Sequence, residues 1–229
     1  MRNVCLAFLA LAALLALSAE AHLPAGFDDY APFNWTAAGP YMATGKVRFN
    51  ANGVAMPTDD SRFIIHPPSQ RLYFGLGASG GAGWILPNGT FNYALKADGS
   101  GYECASTAGT YSDILTGYSD YLFHKGTYKL KGHHGAKALI YQGAVNDTSA
   151  CTSLLPMTII TDEDDHMTLM DVTYHLCPAP NYPIRIEQLT QYDEIHRGDW
   201  VGGEIPPLPQ ECYPENVLDY CALYYSYQC

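Results

Sequence analysis

The sequence predicts a mainly β protein, one strongly curved antiparallel sheet with a few short helices. Two observations lead there. Short segments of alternating, β-branched or aromatic residues recur along the chain, separated by Gly, Pro and Asn. Sustained helical periodicity is nearly absent. Roughly ten such strands joined by local turns make a sheet large enough to curl.

Residues 1–21 read as a secretory signal. Arg2 supplies the positive start, Val4 to Leu17 form an apolar run, and Ala19-Glu20-Ala21 is a small-x-small cleavage site. The run is short for a membrane anchor, and no later stretch is apolar and long enough to span a bilayer. The expected organisation is therefore signal 1–21, a single β-rich domain 22–212, and a tail 213–229 rich in Cys and Tyr. A secreted, extracellular location is expected in turn.

Within the domain, Lys46 to Phe49 runs toward an Asn52-Gly53 turn. Arg62 to His66 and Arg71 to Leu76 flank Pro67-Pro68-Ser69, a hairpin connection. Thr90 to Lys96 leads through Asp98-Gly99 into Gly101 to Cys104. Gly126 to Lys131 and Lys137 to Gln142 form a further pair. Met157 to Thr161 and His166 to Tyr174 bracket the acidic turn 162–165, and Ile184 to Leu189 closes the series. Ser112 to Phe123 is the best candidate for a short helix. The Gly-rich stretch from Gly75 to Gly83 reads as a loop.

Alternation places side chains on faces. Phe63 with Ile65, Leu72 with Phe74, Leu139 with Tyr141, and Met157 with Ile159 are expected to share the concave side. For any one of them core packing is the simpler role; that together they line an apolar pocket is only what the resemblance described below implies.

Composition excludes several functions. The 229 residues carry 12 Lys+Arg against 23 Asp+Glu, a net charge of -11. Such a chain repels nucleic acid and anionic membrane surfaces. At 48% hydrophobic and 15% charged it is not a disordered polypeptide.

Six cysteines lie beyond the signal: Cys104, Cys151, Cys177, Cys212, Cys221 and Cys229. An even number in an exported chain predicts disulfides, although six cysteines allow 15 pairings. No C-x-x-C occurs, so the spacing favours staples over zinc. Asn34, Asn88 and Asn146 head N-x-S/T sequons and are glycosylation candidates.

Other motifs are less specific. Gly75, Gly77 and Gly80 spell G-x-G-x-x-G, and Gly77 to Gly81 spell G-x-S-x-G, but neither is followed by a helix-forming run. Asp162 and Asp164 offer oxygen ligands without the spacing of a calcium loop, so only weak calcium binding is expected there. His22, if it becomes the mature N-terminus, offers an amine and an imidazole to copper. That is the start of a histidine brace, with His133 or His134 as the second ligand. No other catalytic set emerges, and no enzyme activity is expected.

The order of strands and cysteines resembles the ependymin-related branch of the LolA-like secreted proteins. The resemblance runs from about Gly45 to Cys212 and rests on three short motifs. They are a strand reaching Cys104 after a turn (Tyr93 to Lys96, then Gly101 to Cys104), the run from Gly143 toward Cys151, and the P-x-x-C ending Pro209 to Cys212. Residues 22–50 lack the cysteine usual in that family, and Cys221 and Cys229 are extra, so no pairing is carried over. The resemblance implies a bent sheet around an apolar pocket that binds a lipid or other hydrophobic small molecule outside the cell, without catalysis. Association with extracellular matrix or with itself is the alternative, drawn from the tail tyrosines Tyr213, Tyr220, Tyr224, Tyr225 and Tyr227.

Overall fold

The computed structural model describes residues 33–78, 80–96, 99–107, 109–113, 115, 123–129, 137–143, 154–176, 184–214, 216 and 218–219. The expected signal, Asn146, His22, His133, His134, Cys151, Cys177, Cys221, Cys229 and most of the tail lie outside the described residues.

One sheet dominates. Its strands are β1 (Tyr41–Ala51), β2 (Val54–Ala55), β3 (Asp59–His66), β4 (Arg71–Leu76), β5 (Ala82–Leu86), β6 (Gly89–Leu95) and β7 (Tyr102–Thr107). They continue as β8 (Phe123–Lys129), β9 (Lys137–Gly143), β10 (Leu154–Thr161), β11 (Met167–Leu176), β12 (Ile184–Arg197) and β13 (Leu218–Asp219). The order is β13-β7-β6-β5-β4-β3-β1-β12-β11-β10-β9-β8, with β2 paired to β1. Every pairing is antiparallel except β13 on β7. The end strands β13 and β8 do not pair with each other among the described residues, so the sheet is open.

Local turns set the hairpins. Asn52 and Gly53 both take positive φ, 49° and 82°, the backbone hand that a tight hairpin turn needs. A short 3₁₀ turn, Pro67–Ser69, joins β3 to β4 and ends at Gln70 in the left-handed region. The Gly-rich stretch corrects one expectation. Gly75 lies inside β4 and Gly83 inside β5, and the loop between them is closed by Leu76 N–H donating to Gly81 O at 2.9 Å. A second correction concerns the expected helix. Residues 111–113 and 115 are helical, but Phe123 opens β8.

Bulges bend the sheet. The β1–β12 register slips between Thr44 and Gly45, so that Asp193 is left over opposite them. Gly45 is required there, because a Cβ would sit 1.9 Å from Gln191 O. Further slips interrupt β10–β11 and β8–β9.

Strand alternation gives the sheet two apolar faces. The inner face carries Tyr41, Ala43, Val47, Phe49, Phe63, Ile65, Leu72, Ile85, Ala105, Ile159, Met170, Val172, Ile186 and Tyr192 in one buried cluster. The outer face carries Met42, Ile64, Ala82 and Trp84, buried beneath Val201 of the 3₁₀ turn Asp199–Glu204 and Ile205 at its end. Neighbours such as Ile64 and Ile65 are thus both fully buried while facing opposite ways. The consecutive apolar run Phe63-Ile64-Ile65 marks the part of β3 that is buried on both faces.

The strap that covers the outer face ends at a third 3₁₀ turn, Gln210–Cys212, where Cys212 is bonded to Cys104 of β7. Trp84 Nε1 donates to Pro206 O at 2.8 Å, and Arg62 donates to Glu204 Oε2 at 2.7 Å. Gly202 lies against the ring of His66, where a Cβ would come within 2.9 Å.

Candidate ligand-binding site

The inner face brings together most of the predicted pocket residues whose side chains are described. Phe63 and Ile65 on β3, Leu72 on β4 and Ile159 on β10 are buried in one cluster, with the half-buried Phe74 packed against it. Phe63 pairs with Phe74, and Ile65 with Leu72, so the four sit as two adjacent cross-strand pairs. Tyr141 is the register partner of Ile159, Leu139 of Thr161, and Met157 of Gly143. The side chains of Leu139, Tyr141 and Met157 lie outside what is described.

Gly83 makes room for this arrangement, since a Cβ there would lie 2.0 Å from the tip of the Phe74 ring. From outside the sheet, Phe33 and Trp35 pack edge to face with centroids 4.7 Å apart, and Tyr111 and Leu115 join the same cluster.

Polar groups on this face divide into two kinds. Some are satisfied. Tyr41 Oη accepts from Met167 N–H at 3.2 Å, and its ring packs edge to face with that of His166, centroids 5.0 Å apart. Burial pushes both Tyr41 and Tyr192 phenols up, Tyr192 to about 12 against the opposing hydrogen bond with Ser61. Others are not. Asn92 is 4% exposed, and neither its Oδ1 nor its Nδ2 has a partner; Tyr111 Oη and Thr161 Oγ1 are likewise buried and unpaired. Burial alone pushes the Tyr111 phenol up to about 12.

Asn92 and Tyr111 were absent from the sequence-derived pocket. Asn92 lies within the predicted strand Thr90 to Lys96, and alternation with buried Thr90 and Ala94 puts it on the inner face. Its place in a strand was legible in the sequence, but which face of that strand is buried was not. Tyr111 arrives from a helical turn, and no periodicity assigns it a face.

The acidic turn is a closed local network. Asp162 Oδ1 accepts from the amides of Asp164 at 3.0 Å and His166 at 2.9 Å. The His166 Nδ1 faces the same carboxylate at 2.9 and 3.0 Å and so carries its proton toward it. Arg197 caps the turn through Asp164 at 2.9 Å. Burial pushes the Asp162 carboxyl up, but the His166 bonds outweigh it and hold it below its usual value. Asp165 goes the other way, raised by burial and by Asp162. Asp162, Asp164 and His166 could offer three ligand atoms to a cation within 4.8 Å of one another. Their oxygens are already engaged by amides, an imidazole and a guanidinium.

Two of the sequon asparagines are described, and both are exposed. Asn34 sits in a turn where its Oδ1 accepts from Thr36 N–H at 3.0 Å, and Asn88 tips the β5–β6 hairpin. Of the cysteines, Cys104 and Cys212 are bonded across 108 residues. On the outer face a groove of about 480 Å³ is lined by Lys46, Asp60, Arg62, Tyr73 and Glu194. Its mixed charges do not suit an apolar ligand.

No family model matches the chain. No curated protein matches it in sequence. Solved structures similar to it include the following three. An uncharacterized conserved protein from Thermus thermophilus is 12% identical with a TM-score of 0.44, covering 78% of this chain and 91% of that one. A LolA superfamily protein from Nitrosomonas europaea is 8% identical with a TM-score of 0.33, over 74% and 91%. A DUF1329 family protein from Desulfovibrio piger is 9% identical with a TM-score of 0.31, over 89% and 100%. Among the described residues no helix is long and apolar enough to cross a membrane.

Proposed function

We propose that this chain is a secreted, disulfide-stabilised glycoprotein that holds a hydrophobic small molecule against the inner face of its sheet, without catalysis. One observation carries the reading. A single apolar face runs over strands from β7 to β10 of a sheet whose end strands do not pair among the described residues, and its described cover comes from side chains of short segments outside the sheet. An open sheet of this kind does not seal its own interior, unlike a closed small barrel filled by its own strands. Covering segments that are not themselves strands of the sheet can admit a ligand, whose binding is driven by removing hydrocarbon from water at roughly 25 cal/mol per Å².

Secretion and glycosylation are supported by the signal-like start, by the buried Cys104–Cys212 bond and by exposed Asn34 and Asn88.

Solvent extraction of protein purified natively from its secreting cells, followed by mass spectrometry, tests the reading. An apolar compound in near-stoichiometric amount is expected, and adding it back to stripped protein raises the melting temperature. Protein that carries nothing and ignores fluorescent apolar probes overturns the proposal.

A further inference from the structure

The unpaired polar atoms of the inner face have a ligand chemistry of their own. Asn92 sits in the middle of β6, opposite Gly83 on one side and Ala105 on the other. Neither neighbour has a polar side-chain atom to offer. The Asn92 amide nevertheless brings two donors and an acceptor oxygen into a buried, apolar setting, and all of them are unpaired. Buried polar side chains nearly always have a partner, so an exception asks for an explanation.

Tyr111 is carried by a segment tied to the same strand, and its ring joins the cluster that holds Ala105, the register partner of Asn92. Thr90, two residues before Asn92 on the same face, donates from Oγ1 to Gly109 O at 2.8 Å and ties the segment before Tyr111 to β6. Thr110 N–H and Oγ1 then bond Asp113 Oδ2 at 3.0 and 2.6 Å, fixing the turn that carries the Tyr111 ring into the inner cluster. Its hydroxyl ends there buried and unpaired. The charge pattern narrows the partner further. Among the described residues, no Lys, Arg, Asp or Glu is buried on this face. An ionised head group would lose its water without gaining a counter-charge.

We propose that Asn92 and Tyr111 form the polar anchor for an uncharged amphiphile whose head both donates and accepts hydrogen bonds, a long-chain primary amide or alcohol, with its tail along Phe63, Ile65 and Leu72. This rests on the reading that the inner face holds an apolar ligand. It adds the head-group chemistry and excludes phospholipid and fatty-acid anions as preferred ligands. A water bridging Asn92 and Tyr111 is the competing explanation.

The test uses full-length secreted protein and displacement of the apolar dye N-phenyl-1-naphthylamine by oleamide, oleyl alcohol, oleate and octadecene. Oleamide and oleyl alcohol are expected to displace at about tenfold lower concentration than octadecene, with oleate at neutral pH no better than the hydrocarbon. Asn92→Leu removes the amide at nearly constant volume. It is expected to erase the oleamide advantage, to leave octadecene unchanged, and to keep or raise the melting temperature of stripped protein. Tyr111→Phe is expected to cut the advantage about threefold.

An oleamide preference that survives Asn92→Leu, or oleate as the best competitor, overturns the anchor while the apolar site stands. A lowered melting temperature with unchanged ligand preference assigns the pair to bound water and overturns it too. If Asn92→Leu does not fold, Tyr111→Phe decides alone, and an undiminished preference ends the proposal. If wild-type protein binds neither dye nor octadecene, the apolar site itself fails and the anchor falls with it.

Discussion

The two faces of the sheet are made by the same strands but closed by different means. Over the outer face lies the strap 199–212, pinned by a disulfide at its far end and by Trp84 and Arg62 on its way. Its polar groups are largely matched, His66 Nε2 being an exception. On the inner face, Phe33, Trp35, Tyr111 and Leu115 cover a wider apolar surface, and Asn92, Tyr111 and Thr161 keep unmatched polar atoms. A protein that needed only stability would pair such atoms or replace them. The outer face is a sealed joint, and the inner face is the one proposed to hold a ligand.

The largest expected effect removes the joint. Cys104→Ser with Cys212→Ser opens a loop of 108 residues, for which loop-closure entropy alone gives about 4–5 kcal/mol. Urea unfolding should show a loss of that order. A loss below about 1 kcal/mol would mean that the strap holds without its pin.

Next come Ile64→Ala and Ile65→Ala, adjacent truncations on opposite faces, each side chain fully buried. Each should cost about 2–5 kcal/mol in stripped protein. Saturating apolar ligand should recover part of the loss for Ile65→Ala and none of it for Ile64→Ala. Equal recovery, or none in either, would erase the functional distinction between the faces.

A smaller change tests the seal itself. Trp84→Phe keeps an aromatic ring against Tyr73 but leaves Pro206 O without its indole donor. About 1–2 kcal/mol should be lost in urea unfolding, with dye binding unaffected.

The smallest effect is pH-dependent and lies at the acidic turn. A carboxyl held below its unfolded value stabilises above the unfolded pKa and stops doing so as pH falls through its folded one. Asp162→Asn should therefore lower the melting temperature by a few degrees at pH 7. The gap between variant and wild type should close below about pH 4, near the ordinary carboxylate range. A gap that persists at pH 2 would show that the His166 contact is not electrostatic.

Much of the fold was legible beforehand because its signals are local. Asn52-Gly53, Pro67 to Ser69 and the 162–165 turn all join strands where they were expected. The paired faces of Phe63 with Ile65 and Leu72 with Phe74 follow from a period of two. Gly83 was misread as loop, and the loop reading overran the expected strand Arg71 to Leu76 at Gly75, because glycine is a poor strand former and its use here depends on distant atoms. Tyr73 fills the space beside Gly75, and Phe74 the space beside Gly83. The part of the site that was missed has the same cause. Asn92 looked like a strand polar residue, and only its buried, unpaired state sets it apart.

The sequence alone determined the class of structure, most hairpin turns and which side chains alternate together, since these depend on residues within a few positions of each other. Tertiary structure decided the strand order that sets β1 between β3 and β12, the choice of Cys104 for Cys212, and the division of the apolar residues into an outer face under the strap and an inner face with unmatched polar atoms. Those choices join residues 100 or more positions apart. Their energies come from burial and pairing that exist only when both partners are in place.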